Sequence, residues 1–250
     1  MAKRKHLTKE DHEDVSIYEE LSQSRNSSKE QKIRLHDISI KVKCLNAKQK
    51  ELKKAIEERD VVISTGPAGT GRTYMSLLTA LHLMKTQPKY ERLVLIKSLQ
   101  TIKGEDPGIL PGTLWEKLEP FMYSFTGNLD KIFGFSSITK GLMEQGTIEV
   151  FPIAYVRGVT IDNAIVIIDE AQNIDMHTFK TIITRIGSSC KMIFLGDVEQ
   201  VDRRNKDESC LKRVAELFKG SDCASFIEFT DDESVRNPII PKLLKLLKEE

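Results

Sequence analysis

Residues 66–73 read GPAGTGRT, a glycine-rich run suited to holding a chain of phosphate groups. Glycines let the backbone turn tightly enough for successive N–H groups to point into one concavity, which attracts anions. A helix predicted to start directly afterwards adds orphan N–H groups and the positive end of its dipole. Thr73 is placed to offer its hydroxyl to a Mg²⁺ ion. The predicted phosphate-binding residues are Gly66, Pro67, Ala68, Gly69, Thr70, Gly71, Arg72 and Thr73.

Position 72 departs from the pattern G-x-x-x-x-G-K-T/S, because it holds arginine instead of lysine. Both side chains are cationic, but the guanidinium is planar, larger and forked, so the exchange is not conservative at a tight site. We therefore predict nucleotide binding at this loop, while Arg72 argues against fast hydrolysis. The alternative is a glycine-rich turn that binds no nucleotide.

A second candidate site follows the apolar run AIVIID at residues 164–169, the most strand-like stretch of the chain. A strand that ends in Asp169 and Glu170 places two carboxylates at the C-terminal edge of a sheet, where open α/β sheets bind ligands. We predict that Asp169 belongs to the Mg²⁺ shell and that Glu170 orients or deprotonates the attacking water. The alternative is a pair of acidic residues that serve only the N-terminus of a helix.

Two further polar residues are candidates for contacts with a γ-phosphate. Gln200 follows Gly196-Asp197, at the end of another predicted strand, and its amide could sense the phosphate or position water. A loop glutamine bonded to backbone is the alternative. Arg236 precedes the last predicted helix and is a candidate arginine finger, with a solvated or salt-bridged arginine as the alternative.

The elements that position these residues alternate between apolar runs and helical patterns. Buried strands are predicted at residues 61–64, 92–97, 147–152, 164–169, 192–195 and 226–229, and a half-buried strand at 38–44. Helices are predicted at residues 45–58, 74–84, 115–125, 128–145, 177–186 and 238–248. This alternation favours an α/β fold with a mostly parallel sheet covered by helices on both faces.

The chain divides into a polar N-terminal tail at residues 1–33 and one domain at residues 34–250. The tail is too polar to bury a core of its own. Residues 99–112 contain GEDPGILPG, which predicts a long loop.

Composition excludes several classes of protein. Lys+Arg 38 against Asp+Glu 37 gives no bulk charge that would attract a polyanion. The four cysteines form no C-x-x-C pair, so neither a zinc site nor a disulfide framework is indicated. No stretch approaches a membrane-spanning length, and the N-terminus lacks the apolar run of a signal peptide, so a cytoplasmic protein is expected.

The chain resembles the PhoH family of phosphate-starvation-inducible ATPases over roughly residues 45–247. Five segments carry the resemblance in order: GPAGTGRT, ILPGTLWEKLEPFM, AYVRGVTIDNAIVIIDEAQN, GDVEQVD and VRNPII. It implies a RecA-like core, related to the ATPase half of superfamily 1 helicases, that uses ATP and Mg²⁺. The chain departs from the family at Arg72 and in the loop after residue 97, which lacks the usual Arg-Pro.

The resemblance also implies roles for individual residues. Gln49, within the segment LNAKQ, corresponds to a glutamine that contacts adenine. The glycine-rich loop would hold the phosphates, and Asp169 and Glu170 would serve metal and water. Gln200 would contact the γ-phosphate, and Arg236 the charge of the transition state.

A helicase needs two RecA-like lobes and this chain has room for one, so we expect a homo-oligomer, with a ring as one closed solution. RNA is the partner that the resemblance implies. Basic candidates for its backbone are Lys97, Lys103, Arg157, Arg203, Arg204 and Lys206, with Tyr155 as the obvious stacking residue.

Three functions follow from these observations. The first is an ATPase that acts on or with RNA. The second is a nucleotide-gated binding or assembly protein in which Arg72 makes hydrolysis negligible. The third, a small-molecule kinase, is less well supported because DEAQ and GD-x-x-Q suit activated water better than a bound acceptor.

Overall fold

The computed structural model describes residues 32–98, 114–156, 158–198, 210–218 and 220–235. Its strands are β1 (Val61–Thr65), β2 (Arg92–Lys97), β3 (Ile148–Pro152), β4 (Ala164–Asp169), β5 (Cys190–Gly196) and β6 (Ala224–Glu228). Its α-helices are α1 (Ala47–Glu58), α2 (Arg72–Thr86), α3 (Leu114–Phe133), α4 (Ser136–Glu144), α5 (Met176–Ile183) and α6 (Leu211–Phe218). The strands form one sheet in the order β3-β2-β4-β5-β1-β6, with every neighbouring pair parallel.

Hydrophobic cores lie on both faces of the sheet, because successive side chains of a strand point to opposite faces. Val62 of β1 belongs to one core, together with residues of α1 to α4, and its neighbours Val61 and Ile63 belong to the other. In the second core, Phe179 of α5 packs against Phe194 of β5 with ring centroids 4.7 Å apart. The predicted parallel α/β sheet with helices on both faces is confirmed.

The prediction of a strand at residues 38–44 is wrong. Ile38, Ile40, Val42 and Cys44 are partly buried against the first core and alternate with exposed residues, as predicted. However, the segment forms no strand of the sheet. Alternating burial shows that one face of an extended segment packs against the core. An extended segment can do this without hydrogen bonds to a neighbouring strand.

Two helical regions also differ from the prediction. α3 continues without a break through residues 126 and 127, where the sequence predicted two separate helices. α6 was not predicted at all, although Leu211 and Val214 are buried on one side of it. The predicted loop at 99–112 and the helix at 238–248 lie outside the described residues, as does the predicted tail apart from residues 32 and 33.

The strand order determines which chain segments meet at the C-terminal edge of the sheet. β5 lies between β1 and β4. Since neighbouring strands are about 4.8 Å apart, the ends of β1 and β4 are separated by roughly 10 Å, with the end of β5 between them. The glycine-rich loop and the acidic pair therefore belong to one edge of the sheet.

Among the described residues, no helix is both long enough and apolar enough to cross a membrane.

Candidate functional site

The loop between β1 and α2 takes its shape from three glycines with positive φ: Gly66 at 138°, Gly69 at 93° and Gly71 at 80°. A Cβ on Gly66 would lie 2.7 Å from the Cβ of Phe229, and one on Gly71 would lie 2.9 Å from Nε2 of Gln49. The loop therefore approaches its neighbours where only glycine fits. α2 begins directly after the third glycine, so the loop leads into a helix N-terminus, as an anion cradle requires.

Contacts from two other segments hold this loop in place. Nε2 of Gln49 in α1 donates to the carbonyl of Thr70 at 3.0 Å. The backbone N–H of Val235, which follows β6, donates to the carbonyl of Gly69 at 2.9 Å. Within the loop, the Thr70 hydroxyl donates to the carbonyl of Pro67 at 3.2 Å. The conformation of the loop therefore depends on α1 and on the segment after β6.

Gln49 is almost fully buried, at 2% exposed, in the first turn of α1. Asn46 caps this helix, with its Oδ1 accepting from the Gln49 N–H at 2.8 Å. Oε1 of Gln49 accepts from the backbone N–H of Leu45 at 2.8 Å. A glutamine amide has two donor hydrogens and two acceptor lone pairs. The contacts with Leu45 and Thr70 use one of each.

The Arg72 guanidinium lies against backbone carbonyls at the ends of β1 and β5. Nη1 donates to the carbonyls of Gly196 and, at 3.5 Å, of Ser64, and Nη2 donates to that of Pro67 at 3.3 Å. Burial lowers the pKa of Arg72, while the charge of Asp197 opposes that shift. The arginine thus bonds to the loop and its neighbouring strand ends.

The acidic pair lies at the end of β4. Asp169 is in register with Lys97 of β2, and its Oδ1 accepts from the backbone N–H of Glu170 at 3.1 Å. Burial, followed by the charge of Glu170, raises the pKa of Asp169 to about 6. Glu170 has φ 56°, a left-handed conformation that is costly for a non-glycine residue. Such strain is frequent at functional sites.

Gln172 connects this pair to β5, a contact that the sequence did not predict. Its Nε2 donates to Oε2 of Glu170 at 2.7 Å, and its Oε1 accepts from the backbone N–H of Asp197 at 3.1 Å. The side chain is 1% exposed. The only signal in the sequence was its place in the segment DEAQN, two residues after Glu170.

A cleft of about 590 Å³ joins these groups. The loop and the acidic residues line one part of it. A face of α3 that carries Tyr123, Ser124, Asn128 and Lys131 lines another part. The sequence predicted a helix here without giving it a role, because the position of α3 at the cleft depends on its packing against other elements, including α2 and β2.

Of the predicted site residues, those that line the cleft are Gln49, Ala68, Gly69, Thr70, Gly71, Arg72, Thr73, Asp169 and Glu170. Gly66 and Pro67 are not among the residues that line the cleft. Gln200 and Arg236 lie outside the described residues, as do the basic candidates Lys103, Arg157, Arg203, Arg204 and Lys206. Lys97 donates to the hydroxyl of Ser124 in α3 at 3.3 Å, and Tyr155 lies in the short 3₁₀ helix Ile153–Val156.

The donors present fit a magnesium nucleotide better than a metal held by protein alone. Among the described residues, no group of three or more His, Cys, Asp or Glu side chains could hold an ion. Mg²⁺ is ordinarily held by one or two carboxylates together with substrate phosphates and water. Thr73 and Asp169 line the same cleft and supply a hydroxyl and one partly buried carboxylate, which match that requirement.

Comparison with known proteins gives one family. A family model described as PhoH-like protein matches residues 41–248. A PhoH-like protein of Bacillus subtilis (strain 168) is 38% identical over 207 residues, covering 83% of this chain and 63% of that protein. Protein PhoH of Escherichia coli (strain K12) is 32% identical over 200 residues, covering 80% of this chain and 56% of that protein. The chain spans about three fifths of the length of such curated relatives.

Among solved structures, the large terminase from a thermophilic bacteriophage aligns with a TM-score of 0.48 at 12% identity. That alignment covers 81% of this chain and 50% of the terminase.

Proposed function

This chain belongs to the PhoH family, and from that premise we propose that it hydrolyses ATP to ADP and phosphate. The reaction depends on Mg²⁺, and the protein acts on or with RNA as a homo-oligomer. By family and by its glycine-rich loop, the chain is a P-loop NTPase. The nucleotide, the reaction and the partners are the proposal.

One observation carries the proposal: a single cleft contains the phosphate-binding loop and the acidic pair. The roughly 10 Å between the ends of β1 and β4 leaves room for a phosphate chain beside the carboxylates. A helix N-terminus on one side and two carboxylates on the other suit an anion that is bridged to a cation.

The residues divide the work of phosphoryl transfer. Loop N–H groups hold the phosphates, and Thr73 and Asp169 hold the Mg²⁺, which neutralises the charge of the phosphates when bound. Glu170 orients or deprotonates the attacking water. Gln200 contacts the γ-phosphate and Arg236 stabilises the charge that develops in the transition state.

Gln49 supplies the contact with the base. After its bonds to Leu45 and Thr70, its amide keeps one donor and one acceptor. Adenine presents a donor and an acceptor side by side on its N6/N7 edge, and a glutamine amide matches that pair.

RNA would contact the predicted basic side chains, and one of these, Lys97, is the last residue of β2. Because such contacts release counterions, affinity for single-stranded RNA should fall steeply between about 50 mM and 200 mM salt. Affinity that does not change over this range would contradict contacts with the RNA backbone.

A second candidate function, a nucleotide-gated assembly module, is favoured by one specific observation. The Arg72 guanidinium bonds to carbonyls of Ser64, Pro67 and Gly196. A guanidinium anchored on backbone in this way is drawn away from the phosphates that it would need to contact. ATP would then bind and control assembly without being hydrolysed.

The two functions are separated by measuring phosphate release and ATP affinity for the full chain, for Arg72→Lys and for Glu170→Gln. The ATPase proposal expects release by the unchanged chain and a loss of about 100-fold in Glu170→Gln, with ATP affinity retained. Turnover only in the Arg72→Lys chain would support the gated module. If neither the unchanged chain nor Arg72→Lys binds ATP, both functions are wrong.

A further inference from the structure

Gln172 is a buried side chain that the proposed reaction leaves without a role. Both ends of its amide are engaged: the nitrogen donates to Glu170 at 2.7 Å, and the oxygen accepts from the Asp197 N–H at 3.1 Å. Asp197 directly follows β5. The side chain therefore joins the ends of two neighbouring strands, one of which leads to the proposed catalytic carboxylate.

The backbone of β5 is fitted closely around this glutamine. A Cβ on Gly196 would come within 2.8 Å of the Gln172 backbone nitrogen and 3.0 Å of its Oε1. Only glycine allows this approach. The Gln172 amide is therefore packed closely against β5 and from this position donates a hydrogen bond to Glu170.

The same glycine is also in contact with the phosphate-binding loop. Its carbonyl accepts from the backbone N–H of Gly66 at 3.3 Å and from Nη1 of Arg72. Hydrogen bonds and close packing therefore run without a gap from the loop, through Gly196 and Asp197, to Gln172. The last bond of this series ends on the carboxylate of Glu170.

Glu170 needs such support because its backbone is strained. Its φ of 56° lies in the left-handed region, which is unfavourable for a non-glycine residue and persists only where surrounding contacts fix it. The hydrogen bond from Gln172 restrains the carboxylate directly. Without that bond, the side chain would be free to turn about its own torsions.

We propose that Gln172 is the positioning residue for Glu170: it directs the carboxylate toward the attacking water and links it, through Gly196 and Asp197, to the phosphate-binding loop. This inference rests on the proposed function, since it takes Glu170 as the residue that acts on water. Gln172 itself touches neither nucleotide nor water in this role.

The test uses Gln172→Glu in the full chain. This change keeps the size of the side chain and the oxygen that accepts from Asp197, but it sets a carboxylate oxygen against Glu170. Asn173→Asp is the matched control: it makes the same chemical change one residue further on. Asn173 is buried at 7% exposed, and its Oδ1 has no hydrogen-bond partner among the described residues.

The first readout is the stability of the contact, which needs no turnover. Gln172→Glu should lower the urea midpoint of unfolding, and adding Glu170→Gln should recover it, because a donor then faces an acceptor again. Adding Glu170→Gln to Asn173→Asp should give no such recovery. If Glu170→Gln changes the urea midpoint equally in the Gln172→Glu and Asn173→Asp chains, the proposed contact is wrong.

The second readout is phosphate release, measured in the Arg72→Lys chain if the unchanged chain is too slow. Gln172→Glu should lower kcat about 10- to 100-fold while KM for ATP changes less than twofold. The Gln172→Glu, Glu170→Gln double variant should be no slower than Glu170→Gln alone, since both changes act on one group.

The outcomes separate this inference from the proposed function. If Glu170→Gln is slow but Gln172→Glu matches Asn173→Asp, the positioning role is wrong and the ATPase proposal stands. If Glu170→Gln retains full turnover, Glu170 is not the residue that acts on water, and both the proposed mechanism and the positioning role fail.

Discussion

At the scale of single residues, Gly66 shows how little space the glycine-rich loop has. Its φ of 138° is unfavourable for other residues, and a Cβ would lie 2.7 Å from the Cβ of Phe229. We expect Gly66→Ala to lower the free energy of unfolding by more than about 2 kcal/mol, because strain and overlap act together. Urea denaturation measures this loss.

Gly134→Ala is the matched control for that change. Gly134 also has a positive φ, 82°, but a Cβ there would meet nothing within 4 Å. Its substitution should cost only the conformational strain, about 1–2 kcal/mol. Equal losses at the two positions would show that the contact between the loop and Phe229 is unimportant.

Asp169 makes stability depend on pH in a direction opposite to that of most carboxylates. Its pKa rises from 3.8 when unfolded to about 6 when folded, so the folded state holds the proton more tightly. Stability from this group therefore falls as pH rises through that window, and the penalty is complete above the folded pKa. Asp169→Asn removes the penalty along with the carboxylate.

We expect Asp169→Asn to raise the free energy of unfolding by about 1–3 kcal/mol near pH 7.5 and by much less near pH 4. Urea titrations at both pH values measure the difference. The control is Glu58→Gln, because the Glu58 side chain is 55% exposed. It should change the free energy of unfolding only slightly at both pH values. A benefit of Asp169→Asn that is the same at pH 4 and pH 7.5 would contradict the raised pKa.

The sequence located the glycine-rich loop and the acidic pair better than the contacts around them. Glycine at tight turns and carboxylates after an apolar strand are local signals, and the structure places the loop after β1 and the acidic pair at the end of β4. The contact between Gln172 and Asp197 joins residues that follow two different strands, β4 and β5. Such a contact depends on strand order, which residue types alone do not specify.

At the scale of elements, the start of α1 links helix stability to the cleft. Asn46 caps α1 and also donates through Nδ2 to the carbonyl of Glu233 at 3.3 Å. Asn46→Ala should cost about 1 kcal/mol of stability through the lost cap. It should also weaken ATP binding about fivefold, because Gln49 lies in the turn that the cap fixes. Calorimetric titration measures the affinity.

Asp175→Ala is the control at this scale. Asp175 caps α5, with its side chain accepting from the Thr178 N–H at 2.7 Å, on the other face of the sheet from α1. Asp175→Ala should cost about as much stability as Asn46→Ala and leave the ATP affinity within twofold of that of the unchanged chain. If both variants bind ATP as the unchanged chain does, the cap of α1 has no influence on the cleft.

Elements were predicted well where one local pattern decides their type. β2 and β4 have the predicted bounds, because continuous apolar runs describe strands buried on both faces. Helix ends were less accurate: α5 ends at Ile183 instead of residue 186. The predicted strand at 38–44 is absent because the segment does not pair with the sheet. Strand pairing depends on the assembled sheet and not on a local pattern.

At the scale of the whole molecule, the described residues contain one parallel sheet and therefore one lobe for the proposed ATPase. A site that closes around a nucleotide then needs a second surface, and a neighbouring copy of the chain is the simplest source. Light scattering should give a mass that is a multiple of 28.4 kDa, at least with ATP and Mg²⁺. A monomer mass under all conditions would contradict assembly.

The position of β1 within the sheet has a consequence for biosynthesis. Its two neighbours, β5 and β6, both follow it far along the chain. While the chain emerges from the ribosome, β1 waits without a pairing partner, and its non-local contacts form late. The proposed nucleotide site should therefore form only after β5 and β6 have been synthesised, so a chain that stops before Ala224 should not bind ATP.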